Sequence, residues 1–249
     1  MAKLIRIQSE SHAVELLPGI SNRLGQAGKG SKAGTIPVIG FATLKRFDLA
    51  ERLIASIDYP VEHLVIVDNS GTGEWVAPKS DFVKHQWHIR VPFGLGLVGA
   101  WNLVIKATPY APYWLLVNDD AWFEAGSLEM IAERVDTNAL NFLDINPAWS
   151  AVVFGEGMVD KVGLYDERFY PLYFDDNDLE RRVFHHGVAV NTIPAVVHHE
   201  NSSTLNSGYQ TVNARSFAAN MRLFDDKQAE GDFTQGGWTL KTRRANRWD

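Results

Sequence analysis

The sequence predicts an α/β fold: a mostly parallel central sheet flanked by helices, with a ligand site at the carboxyl ends of the strands. Two observations carry this. From Thr35 onward, short apolar runs alternate with amphipathic runs of helical period, the pattern of strand–helix units whose sheet is covered on both faces. Three of the apolar runs end in polar clusters, Ala42–Arg46, Asp68-Asn69-Ser70 and Asn118-Asp119-Asp120. In open α/β sheets, ligands collect at that end of the strands.

Taken in order, "TIPVIGFAT" reads as the first strand. "FDLAERLIASI" sets Phe47, Ala50, Leu53, Ile54 and Ile57 on one helical face. "EHLVIVDNS" is a second buried strand and "FVKHQWHIRV" a third; "LVGAWNLVIKA" is a helix stopped by Pro109 and Pro112. "YWLLVNDD" is a fourth strand and "SLEMIAERV" another helix. After Asn141 the texture changes to short strands and turns with one or two helices. "NARSFAANMRLFDD" predicts a helix near the C-terminus, followed by irregular sequence and the basic "LKTRRANRWD", read as a solvated tail. Gly25 to Gly34, "GQAGKGSKAG", reads as a flexible linker. Its Gly-Lys-Gly-Ser is no phosphate loop, because no strand precedes it. The expected organisation is an arm and linker over 1–34, a catalytic domain over 35–205, and a helix with a basic tail over 206–249.

The totals restrict function. At 249 residues the chain suits one large domain. A net charge of -6 argues against a protein whose task is gripping nucleic-acid backbone. Eight Trp and thirteen Phe imply an aromatic-rich cleft or interior; for Trp101, Trp122 and Trp149, packing is the first expectation and stacking on a ligand the second. With no cysteine, disulfides and thiolate metal sites are excluded, so any metal needs carboxylate, imidazole, amide or water. Glu10, His12 and Glu15 interrupt the apolar region a signal peptide requires. No run approaches the roughly 18 apolar residues of a membrane span. The expected location is the cytoplasm.

Gly94, Gly96 and Gly99 fit the G-x-G-x-x-G spacing, with Asp119 downstream as a candidate ribose acid. A dinucleotide-binding oxidoreductase is therefore one alternative. Against it, a complete strand–helix unit precedes the fingerprint, and the other acidic and histidine clusters go unexplained. Asn118, Asp119 and Asp120 are poorly placed as a helix cap, since Gly126-Ser127 caps the next helix adequately. A hard cation that shares phosphate oxygens needs few protein carboxylates, and an Asp-rich strand end supplies them. "FDDNDLERR" crowds Asp175, Asp176 and Asp178 at a helix start. Dipole compensation and pairing with Arg181 and Arg182 explain one or two of these. Adjacent carboxylates raise one another's pKa, and one beside a substrate hydroxyl can act as general base. "AVVHHENSST" offers a histidine at a strand end as a metal ligand, whereas His185-His186 reads as structural.

The order of these features resembles the large inverting glycosyltransferase family 2, with its GT-A fold, and especially its rhamnosyltransferase-like members. The likeness runs from about Thr35 to Ser203. "VIGFATLKRFDLAERLIASI" is similar to the family's opening strand and helix, which implies donor contacts at Thr43 and Arg46. "IVDNSG" resembles the second strand, implying base or ribose binding by Asp68, with Asn69 beside it. "PFGLGLVGAWNLVIKA" looks like the Gly-rich segment, with Gly94, Gly96 and Asn102 on the donor. "LLVNDDAWFEAGSLEMI" occupies the Asp-x-Asp position, giving Asn118 and Asp119 to the donor and Asp120 to a divalent metal, Mn2+ or Mg2+. "VGLYDERFYPLYFDDNDLERRVFHHG" resembles the family's Glu-Asp-x-Asp-Leu segment, whose second acid is the catalytic base, here Asp176 beside Asp175. "HHENSST" resembles the histidine that closes the site, and spacing to Ser203 favours His198 as metal ligand.

The first Asp of Asp-x-Asp is Asn118, and Asp175 replaces the usual Glu. The chain lacks the long C-terminal extensions of processive members, which implies transfer of a single sugar. The implied partners are a UDP- or dTDP-sugar donor and an acceptor glycan, lipid-linked sugar, protein or modified nucleobase. A catalytically silent sugar-nucleotide-binding relative, invited by Asn118, is the other alternative.

Overall fold

A computed structural model describes residues 34–200 and 210–234. The expected arm and most of the linker, the Ser203 boundary and the basic tail lie outside the described residues. The elements are β1 (Ile36–Thr43), α1 (Phe47–Ala55), β2 (Val61–Asp68), β3 (Val83–Arg90), α2 (Gly96–Ala107), β4 (Tyr113–Asn118) and β5 (Ala121–Phe123). Then follow α3 (Ser127–Arg134), β6 (Leu140–Asp144), a 3-10 turn (Ala148–Ser150), β7 (Ala151–Gly155), α4 (Glu156–Val162), α5 (Asp175–His185), β8 (Val190–His199) and α6 (Gln210–Glu230).

The strands lie in the order β3-β2-β1-β4-β7-β6-β8-β5. β1 is parallel to β2 and β4, and β2 to β3. β7 runs against both neighbours, β8 is parallel to β6, and β5 is antiparallel to β8. The sheet is thus mostly parallel, and β1, β2, β4 and β8 all bring their carboxyl ends to the same rim. Those ends are Thr43, Asp68, Asn118 and His199.

Both faces are packed, which is why the strands read as near-continuous apolar runs rather than alternating ones. Ile39 and Phe41 of β1 join Leu53 and Ile54 of α1 and Leu128 and Ile131 of α3 on one face. Val38 meets Val98, Trp101, Val104 and Ile105 of α2 on the other, with Leu179 and Val183 of α5. Each such aliphatic side chain contributes roughly 1.5–3 kcal/mol by leaving water. Gly40 sits where a Cβ would collide with the Val104 side chain, so its bare backbone lets α2 close onto β1. Among the described residues, no helix is long and apolar enough to cross a membrane.

Two expectations are refined here. α3 does start at Ser127, with Gly126 in the left-handed conformation before it, but neither residue caps with a side chain. The Ser127 hydroxyl donates instead to the Val196 carbonyl (2.8 Å), tying α3 to β8. The Gly94–Gly99 fingerprint forms the turn into α2 and its first helical turn. A Cβ at Gly96 would stand 2.7 Å from the Pro171 carbonyl oxygen, and that carbonyl accepts the Leu97 N–H at 3.0 Å. The first turn of α2 is therefore closed by protein backbone, where a dinucleotide fold leaves it open to a pyrophosphate.

Candidate active site

The strand ends are stitched before they are used. The Asn69 N–H donates to the Thr43 carbonyl (2.8 Å), joining the tips of β2 and β1. The Asn69 amide donates to the Gly96 carbonyl (3.2 Å) and accepts the Leu95 N–H (3.0 Å), so it clamps the turn before α2. Asn102, buried in α2, does the same elsewhere. It accepts the Tyr165 N–H (3.0 Å) and donates to the Tyr165 carbonyl and to Glu167 (2.9 Å each). Both amides are spent on protein partners, mostly backbone, and both brace the segments beside the strand ends. Gly94 accepts the Tyr170 hydroxyl through its carbonyl (3.2 Å).

At the mouth of β2, the Asp68 carboxylate is 1% exposed. One oxygen accepts the Ser70 N–H (2.9 Å), and the other lies 3.5 Å from His88 Nε2 on β3. The His88 ring meets the edge of Trp75, which stacks on Phe47 with centroids 4.9 Å apart. Burial lowers the His88 pKa, with Arg90 adding to the shift and Asp68 opposing it. The imidazole is therefore neutral at pH 7, and an aromatic wall flanks a deeply set acid. Nothing in the sequence singled out His88 or Trp75, because their partners lie on different strands and loops.

At the mouth of β4, after Asn118, the backbone turns through Asp119 and Asp120 into β5, with Asp120 buried. Asp120 Oδ1 is 2.8 Å from His199 Nε2, with both side chains under 10% exposed. Burial pushes Asp119 up to about 7, opposed by the Thr43 hydroxyl and assisted by the charge of Asp120. Arg46 forms a two-point pair with Asp48 (2.9 and 2.8 Å) and also feels Asp119 and Glu200.

His198, favoured by the spacing to Ser203, faces away from Asp120. Its Nε2 contacts Glu124 (2.8 Å), its side chain is 43% exposed, and its ring stacks on Trp122. The Arg52 guanidinium also lies over the Trp122 ring, 3.8 Å from its centre. The reason is register. Ala121 pairs with His199 and Trp122 with His198, so adjacent histidines point to opposite faces of the sheet. Trp122 is half-buried beneath these contacts, and Trp101 is core.

The third contribution comes from α5. Asp175 is buried and pushed up to about 8, first by burial and then by the charge of Asp176. Asp176 is half-buried, with one oxygen accepting the Asn177 N–H (2.9 Å). Asp178 is fully buried and paired with Arg182 (2.8 Å) and Lys227 (2.7 Å), which accounts for the third acid structurally. The segment before α5 reaches the rim through the contacts of Tyr170 and Pro171 with the turn into α2.

No protein-family model and no curated protein matches the chain. Solved structures do match. A mannosyltransferase of Pyrobaculum calidifontis, PcManGT, in complex with GDP-Man and Mn2+, aligns with a TM-score of 0.54 at 12% identity, covering 74% of this chain and 63% of that one. GalNAc-T7 with UDP, GalNAc and Mn2+ aligns at 0.54 and 8% identity over 68% of this chain and 44% of that one. TarS of S. aureus aligns at 0.53 and 12% identity, over 77% and 39%. The chain thus spans less than two thirds of each of these proteins. The class these likenesses define is one of fold: a GT-A-like α/β fold, its mostly parallel sheet flanked by helices, held in common with glycosyltransferases.

Proposed function

We propose that the chain is an inverting glycosyltransferase that moves one sugar from a nucleotide-diphosphate donor, a UDP- or dTDP-sugar, to an acceptor hydroxyl. The observation that carries this is the gathering of Asp68, Asp119, Asp120 and His199 at one rim of the sheet, in a fold shared with glycosyltransferases. Asp68 and the Trp75–His88 wall receive the nucleoside. Thr43, Arg46, Asn118 and Asp119 line the diphosphate and sugar. Asn69 and Asn102 contribute by holding the walls.

A divalent cation fits the donor set. Asp120 with His199 gives a carboxylate and an imidazole, a combination that suits Mn2+ better than the oxygen-seeking Mg2+. Among the described residues no three acidic or imidazole side chains converge on one point, so donor oxygens and water would have to supply the remaining ligands. When bound, such an ion supplies Lewis-acid stabilisation of the departing diphosphate.

The chain's own residues do the rest. Holding the acceptor hydroxyl in line behind the anomeric carbon contributes on the order of 7 kcal/mol in well-oriented cases. Asp176 accepts the hydroxyl proton as the oxygen attacks, and the bond to the diphosphate breaks on the opposite face. This single displacement inverts the anomeric configuration. Asp175, neutral below about pH 8, spares Asp176 a second adjacent charge.

The test is a panel of nucleotide sugars with Mn2+, read first as thermal shift and then as transfer. The Asp176→Asn variant keeps the donor-induced shift and loses roughly 100- to 10,000-fold in transfer rate, the usual worth of a positioned base. Near-normal turnover in that variant removes Asp176 from the role. Stabilisation by NAD(P) in place of every sugar nucleotide replaces the transferase with an oxidoreductase.

A further inference from the structure

We propose that Asn220, on the C-terminal helix α6, is a positioning residue for the reaction: its amide fixes the bend that presents Asp176. The inference rests on the reading of Asp176 as the base.

The bend is unusual. Tyr173 and Phe174 adopt φ of 81° and 65° in succession, the left-handed region that bulky side chains rarely occupy. Such a conformation persists only where surrounding contacts over-determine it. Three carbonyls of the segment leading into this bend gather on one side chain. Those of Tyr170, Leu172 and Tyr173 converge on the Asn220 amide nitrogen at 3.4, 2.8 and 3.2 Å. Asn220 is 3% exposed, so without that amide the carbonyls lose their common donor in a place water reaches poorly.

The same helix face grips the two left-handed residues by their rings. Phe217 packs on Tyr173 (5.4 Å) and Phe174 (5.1 Å), and Phe224 on Phe174 (5.7 Å). Residues 217, 220 and 224 share one face of a helix by their spacing. The chain then enters α5 directly, with Phe174 before the helix and Asp175 and Asp176 as its first residues.

α6 has its own anchor elsewhere. Two turns beyond Asn220, Lys227 is buried against Asp166 and Asp178 (2.7 Å each). The loop, then, needs Asn220 more than the helix does. Asn220 touches none of the reacting groups and acts through the direction it gives to Asp176.

Asn220→Asp keeps the shape and replaces the donating N–H groups with an acceptor; Asn220→Ala removes the amide outright and stands in should the first variant not fold. Expected is a fall in kcat of about 10- to 100-fold, the cost of a misplaced catalytic group. Donor KM and Mn2+ dependence stay unchanged, and exposed Arg222→Ala behaves as wild type throughout. An unchanged kcat, or kcat and donor KM deteriorating together, overturns the proposal. If the wild-type protein transfers no sugar, the functional reading falls, and amide hydrogen exchange decides the positioning. Faster exchange at 174–177 in Asn220→Asp, with α6 around Lys227 still protected, supports it; equal exchange overturns it.

Discussion

Asp175 and Asp176 are neighbours in the first turn of α5 in different surroundings, one buried and one half-buried. The difference has a measurable consequence in stability. Asp175 is pushed from 3.8 up to about 8, so between those values the folded protein holds a proton that the unfolded chain has released. Stability contributed by this group is full below about pH 4 and is lost as pH rises towards 8. The loss is on the order of a few kcal/mol. Asp175→Asn carries no titrating group there. Its melting temperature, followed by circular dichroism, should gain on the wild type steadily from acid to mildly alkaline pH. Parallel pH profiles for the two proteins contradict the raised pKa.

At the scale of the element, the strands were the most legible part of the sequence. β1, β2 and β4 are buried on both faces, so continuous apolar runs ending in polar residues gave both their type and their polar rim. Register was hidden. Which of His198 and His199 meets Asp120 is decided by how β8 pairs with β5, a contact between segments about 75 residues apart that no local spacing encodes. Asn69 and Asn102 were hidden for another reason, since an amide that clamps backbone and one that binds a ligand look alike in sequence. Asp178 was half legible: its i,i+4 partner Arg182 is near in sequence, but Lys227 is not. Register makes its own prediction. His199→Ala should weaken Mn2+-dependent donor binding by at least about tenfold, the least that even an outer-shell metal partner is worth. His198→Ala should leave it intact. Isothermal titration with donor and Mn2+ separates them, and the reverse ranking removes the Asp120–His199 pair from the metal site.

The whole molecule is joined by charge as well as by apolar surface. Lys227 brings α6 to Asp166 and Asp178, Arg182 shares Asp178, and Arg168 spans Asp166 and Asp232. Three cations meet three carboxylates, so the cluster is balanced only while all its members are present. Replacing the lysine leaves Asp166 with Arg168 alone and Asp178 with Arg182 alone, one cation short among buried acids, which costs on the order of 3–5 kcal/mol, far more than the pair adds over an apolar substitute. For a chain of this size, Lys227→Met should lower the melting temperature by roughly 10 °C at neutral pH. The deficit depends on pH with a definite sign. Burial pushes the Asp166 carboxyl up, but hydrogen bonds from Arg168 and Lys227 outweigh it and hold its pKa below 3.8. Its stabilisation is therefore present above about pH 4 and lost as pH falls through the depressed folded value. In Lys227→Met the acid, left with Arg168 alone, takes up a proton more readily, so the gap from wild type should close on acidification. A deficit that stays constant from neutral pH down to about pH 4 would assign the loss to packing of the lysine stem, and α6 would then be held by shape rather than by its buried charge.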